Sequence, residues 1–171
     1  MAYILTSQLH DDDDSLAGSA WDRYTVYLES VADRLPSSAL ALARSDWWFN
    51  STDHRCPHDA RLQALTVTEA PSPDGCRAVS IQVRLQGAYS DGHLKLTYHG
   101  VTSHEFSWTP QTSEQPFGHR DWRYDEFRLA SPGLFEHEIE WWGQQATGRW
   151  LIRAAQIEAQ WTPSEGTDSA V

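Results

Sequence analysis

The densest group of potential ligands in the sequence is His54-x-Cys56-x-His58-Asp59. Residues two apart on an extended backbone point the same way, so His54, Cys56 and His58 can share a face and are candidate metal ligands. Zinc sites pair ligands two to four residues apart and need a second pair, and none follows here. The preferred reading is a turn with surface histidines, so no metal is assigned. Acidic residues offer a second chemistry. Asp125-Glu126 and the stripe Glu136, Glu138, Glu140 could supply a general acid and base near His137. Adjacent strand residues face opposite ways, so Asp125 and Glu126 line one site only across a bulge. The three glutamates read as the solvated face of a strand, and His137, alternating with them among Phe135, Ile139 and Trp141, reads as a hydrogen-bonded core histidine.

His119-Arg120-Asp121 copies the opening of a kinase catalytic loop, but position 126 is Glu126 where that loop needs asparagine. Gly-x-Ser-x-Gly, the phosphate-binding glycine loop and His-Glu-x-x-His are all absent. No catalytic residue is assigned and no cofactor is expected. Trp47-Trp48 and Trp141-Trp142 are different: if extended, each pair sends one ring away from the core, and tryptophan is enriched at interface hot spots. Glu136, Glu138, Glu140, Trp142 and Asp125 are therefore candidate partner-binding residues, an aromatic anchor with an acidic rim suited to a basic protein. The competing arrangement is a small-ligand or enzyme pocket built from Trp122, Tyr124, Glu126, His137 and His119.

Charge supports the first of these. The 171-residue chain carries 24 acidic against 13 basic residues, a net charge of −11. Nucleic-acid binding needs lysines and arginines to displace counterions, so that class of partner is excluded. Nine Trp and six Tyr supply the buried area that a modest aliphatic content does not. No apolar run approaches the ~20 residues of a membrane span, and no basic-then-apolar leader opens the sequence, which predicts a cytoplasmic protein with no membrane partner. Cys56 and Cys76 are then expected to stay reduced.

The elements that must position these residues follow from periodicity. Residues 1–9 read as a short edge strand contributing nothing to the core, followed by the acidic run Asp11–Asp14. Trp21, Tyr24, Leu28, Val31 and Leu35 recur at helical spacing behind a Ser19/Asp22 cap, which predicts a helix over 20–34 ended by Pro36. Ser37 or Ser38 caps a second, short helix. From residue 61 the period becomes two, predicting strands near 61–69, 77–86, 94–98, 102–108, 122–129, 134–142 and 149–161, the last with a bulge at Ala154-Ala155-Gln156. The expectation is one α+β domain over 1–171: N-terminal helices in 1–50, then a mainly antiparallel meander of about seven strands over 58–162, curled or sandwich-like.

From His58 onward, two-thirds of the chain resembles a diffuse group of small bacterial proteins related to the immunity proteins of polymorphic toxin systems. The resemblance rests on His58-Asp59-Ala60-Arg61-Leu62, Leu94-x-Leu96-x-Tyr98-x-Gly100-Val101, Trp122-x-Tyr124-Asp125-Glu126, Gly133 through Ile139, and Trp150-x-Ile152. It implies a cytosolic, non-catalytic protein that neutralises a cationic toxin domain by occlusion, for which an acidic surface gives fast steering. A pocket protein or enzyme, and a structural scaffold subunit, remain the alternatives.

Overall fold

The computed structural model describes residues 2–5, 14–73, 75–110, 118–143 and 146–164. Helix α1 spans Asp14–Val31 and α2 Ser37–Ala43. Ala20, Tyr24, Leu28 and Val31 form the buried stripe of α1, as their spacing requires, while Val26 on the opposite side is exposed. The helix begins five residues before the expected Ser19 cap. Ser19 lies inside it, its Oγ accepting from Arg23 Nη1 at 3.0 Å. Pro36 does not end α1: residues 32–34 form a turn, and Pro36 is the N-cap residue of α2, with no side chain capping that helix. Ser38 Oγ instead accepts the backbone N–H of Ile157 at 3.1 Å.

Eight strands follow: β1 Arg61–Pro71, β2 Arg77–Gln86, β3 Gly92–His99, β4 Ser103–Pro110, β5 Asp121–Ser131, β6 Leu134–Gly143, β7 Ala146–Ala154 and β8 Gln156–Pro163. They form one antiparallel sheet in the order β4-β7-β6-β5-β1-β2-β3-β8, which is not closed. The expected count of seven fails at Ala155, where the predicted last strand divides. Residues before it pair with β4 and β6, and residues after it pair with β3. Because β3 also runs on into β4 through Gly100–Thr102, the two paired ribbons turn one corner together, with Ala155 N–H donating to His99 O at 3.1 Å and Thr102 N–H to Arg153 O at 2.9 Å. Gly100 makes that corner at φ +60°, and a Cβ there would stand 3.1 Å from that of Ala155.

The weak point of the sheet is its middle, since β1 and β5 are bridged only at Arg61 and Asp121. Beyond this bridge the backbone edge of β5 would be orphaned, and α1 covers it. Tyr24 Oη accepts from Phe127 N–H at 2.8 Å and donates to Phe127 O at 3.2 Å, and Leu129 N–H donates to Tyr27 Oη at 2.7 Å. Two phenols thus take the place of a strand. Residues 3–5, expected as a coreless edge strand, form bends instead, and Ile4 and Leu5 are fully buried. Residues 1 and 6–9 of that predicted strand, and Asp11–Asp13, lie outside the described residues. One apolar cluster joins the helices to both halves of the sheet. No helix among the described residues is long and apolar enough to cross a membrane.

Removing the Tyr24 hydroxyl strands a buried N–H and a buried C=O at once. Tyr24→Phe should cost about 2–3 kcal/mol, and Tyr27→Phe, whose partner is half-buried, about 1 kcal/mol. Urea unfolding of the two variants checks the order, and equal costs would contradict the account.

Candidate functional site

Strand β5 changes register between Trp122 and Tyr124. In a regular strand residues 122 and 125 would face opposite ways; the extra residue, Arg123, turns both Trp122 and Asp125 inward while Glu126 faces the other way. Asp125 is 3% exposed. Its Oδ1 accepts from Trp122 Nε1 at 2.9 Å, and its Oδ2 accepts from Trp48 Nε1 at 2.8 Å and lies 3.0 Å from His137 Nε2. Tyr98 Oη stands 2.8 Å from His137 Nδ1. Assigned from these partners, the chain runs one way: Tyr98 donates to Nδ1, Nε2–H donates to Asp125, and both indoles donate to Asp125. The Phe127 ring stacks on His137 at 4.0 Å and Tyr98 is fully buried, with burial pushing its phenol well above the usual range.

Beside this carboxylate is a cavity of about 140 Å³, walled by Trp21 from α1, Trp48 and Phe49 from the turn after α2, and Trp122 and Tyr124 from β5. Cys56, His58 and Arg123 also line it. Cys56 is buried, its Sγ donating to Trp48 O at 3.0 Å, and burial pushes the thiol up to about 11. His58 Nδ1 lies 3.3 Å from Asp59 Oδ2, and its ring meets Tyr124 edge-on at 5.9 Å. The Arg123 guanidinium stands 5.0 Å from the Tyr124 ring centre and 5.7 Å from that of Trp142.

The five candidate partner-binding residues separate. Asp125 is interior. Glu136, Glu138, Glu140 and Trp142 do share the outer face of β6, and Trp142 is half exposed. Their carboxylates, however, are interleaved with arginines from the neighbouring strands. Arg128 on β5 binds Glu126, Glu136 and Glu138, while on β7 Arg149 binds Glu138 and Arg153 binds Glu136. The register Glu136↔Arg153 and Glu140↔Arg149 places these charges opposite each other. An acidic stripe read from β6 alone is thus a mixed-charge ladder. Of the competing pocket residues, Trp122 and Tyr124 line the cavity and His137 lies behind Asp125. Glu126 faces the other way, fully buried, accepting the N–H groups of Tyr3 and Ile4 at 2.8 and 2.9 Å. His119 packs elsewhere against Trp108, Trp141 and Trp150, and burial lowers its pKa.

The candidate metal ligands do not converge. His54 pairs with Asp91 and stacks on Tyr89 at 4.1 Å, Cys56 turns to Trp48, and among the described residues no group of three His, Cys, Asp or Glu is placed to hold a metal. Trp21 and Tyr98 are site residues that sequence reasoning leaves in the core, because their periodicity reports burial and not what they are buried around, and Phe49, in the hinge after the second helix, carries no periodic signal. No family model, no curated protein and no solved structure matches the chain.

The outer ladder has a pH signature. Burial works to raise Glu136 and Glu138, but hydrogen bonds from Arg128 together with Arg153 or Arg149 outweigh it and hold both below the ordinary glutamate value. A lowered folded pKa contributes stability that is complete above the unfolded value near ~4.3 and disappears as pH falls through the folded ones. The urea midpoint should therefore hold between about pH 7 and pH 5 and fall below about pH 4. Arg128→Met leaves Glu126, 0% exposed, without its cation and should cost about 3–5 kcal/mol in the same measurement at pH 7.

Proposed function

We propose that the protein is a non-catalytic binding module that holds a small organic molecule in the cavity beside Asp125. The observation that carries this reading is the lining: Trp21, Trp48, Phe49, Trp122 and Tyr124 enclose about 140 Å³ next to one carboxylate. An apolar cavity of about 150 Å³ is large enough for a benzene ring. Three of the groups that could do chemistry, Asp125, His137 and Cys56, are already committed. Asp125 accepts from three donors, both His137 nitrogens are bonded, and Cys56 remains a thiol. A fixed carboxylate in a wall of aromatic rings recognises without reacting.

A second reading, occlusion of a basic partner such as a toxin domain, is favoured by Trp142, half exposed beside outward-facing Glu140. The charges around it weigh less than the sequence suggested, since Glu136 and Glu138 are held by arginines of the same face.

The test of the cavity is a screen of small fragments of varied charge, read from the indole N–H resonances of Trp48 and Trp122. Hits should move those two signals together, and Ser51→Phe, which narrows the cavity wall, should weaken them about tenfold or more at unchanged melting temperature. Hits that move neither signal, or that bind Ser51→Phe undiminished, overturn the reading.

A further inference from the structure

The seam that leaves β5 to α1 also leaves β1 open. After the bridge at Arg61, β1 pairs on one side only, with β2. Ser72 N–H donates to Cys76 O at 2.9 Å, and the register carried on from there turns the backbone groups of Ala70, Thr68 and Thr66 toward β2. Gly87 N–H, donating to Gly92 O at 3.0 Å, fixes the same alternation from the far side: Ile81 and Val83 turn to β3, which leaves Ser80 and Gln82 for β1. The N–H and C=O groups of Leu65, Val67 and Glu69 therefore point away from the sheet. Other edges have covers, Tyr24 and Tyr27 on β5 and Ser38 on the Ile157 N–H of β8. Here every residue from Thr66 to Pro71 is exposed, and Val67 is 43% exposed.

We propose that this edge is an interface between two copies of the chain, joined by antiparallel pairing of β1 with β1 about a twofold axis at Val67. The limits of the edge choose the partner. A register shift between Leu62 and Ala64 ends it on one side, and Pro71, which has no N–H, ends it on the other. The outward residues left between them are symmetric about Val67, so a second copy offers the same groups in reverse order. Val67 then lies opposite the partner's Val67 and Leu65 opposite the partner's Glu69, each pair exchanging two backbone hydrogen bonds. Glu69 O, which accepts from Arg77 Nη2 at 3.0 Å, uses its second lone pair. Thr66 meets the partner's Thr68, and β-branched residues pack well across strands. Charge agrees. Residues 62–68 carry none, and Glu69 is paired at 3.1 Å with Arg77. The hairpin over 61–86 holds Arg61, Arg77 and Arg84 against Glu69 and Asp74, on a chain of net −11, so two copies meet here without setting acid against acid. Between the register shift and Pro71 the edge has no lysine and no proline, the residues with which sheets guard an edge against pairing.

The experiment is sedimentation velocity of the full chain from about 1 μM to about 1 mM. Pairing along so short an edge buries less than the ~1,200 Å² of stable complexes, so the expected result is a reversible monomer–dimer equilibrium with a Kd of about 10 to 1,000 μM. Val67→Pro removes an N–H that no strand of the monomer uses, and Val67→Lys sets two ammonium groups against each other at the axis. Both should weaken the dimer about tenfold or more, and Val67→Lys should leave the melting temperature at about 1 μM unchanged. Amide exchange reads the register. The N–H groups of Leu65, Val67 and Glu69 should exchange freely in the monomer and slow as concentration rises, whereas those of Thr66 and Thr68 should be protected throughout. A chain that stays monomeric at about 1 mM, a dimer that both variants leave intact, or protection that rises with concentration outside β1 and not within it overturns the proposal.

Discussion

A carboxylate that has left water must be given back hydrogen bonds, and the fold is arranged so that Asp125 receives them from three places at once. Trp48 arrives from the turn after α2, Trp122 from three residues earlier in β5, and His137 from β6. Tyr98, reaching from β3 in the other half of the sheet, fixes the imidazole from behind. The helical layer, the central strand, its neighbour and the far half of the sheet therefore converge on one group. Losing any donor would leave a desolvated charge short of a partner, which is costlier than losing an ordinary contact. That dependence explains why the aromatic residues carry polar atoms at the centre of an otherwise apolar core.

The same strand that holds Asp125 makes the helices necessary. Because β1 and β5 meet at a single bridge, the sheet is unsealed along most of β5, and backbone groups there need partners that β1 does not supply. Tyr24 and Tyr27 provide them from α1, and Glu126, turned to the other face, draws in the N–H groups of Tyr3 and Ile4. Docking α1 brings Trp21 to the cavity and Tyr24 to the edge of β5 in one movement of packing, since both belong to the face that points at the sheet. The open seam, the helical cover and the cavity are one feature.

Much of this was legible in the sequence. Alternation along 79–85 and 134–142 located strands, and placed Phe135, His137, Ile139 and Trp141 on the buried side, where they are. Helical spacing named the buried residues of α1. What alternation along one strand does not carry is the identity of its neighbours. The glutamates of β6 read as an acidic surface because Arg128, Arg149 and Arg153 belong to other strands, at sequence separations that encode no register. The shift at Arg123 was equally hidden, since nothing in Trp122-Arg123-Tyr124 distinguishes a bulge from regular alternation. Ala155 was visible as an irregularity, but its consequence, a strand changing partners at a corner, depends on what β3 does beside it.

Charge is sorted by that bulge. Asp125 and Glu126 are neighbours in sequence and remain on opposite faces, yet the shift decides which of them meets Trp122. Outside, Glu126 enters a network with an arginine at its centre, where each carboxylate finds a guanidinium. Inside, Asp125 finds two indoles and an imidazole. The two solutions differ in their surroundings. The outer network pairs carboxylates with guanidiniums, whereas the inner carboxylate lies beside a cavity that its own donors help to wall. A core assembled only for stability would gain from filling that space with another apolar side chain. Keeping it open is what the proposed binding role requires of this part of the core.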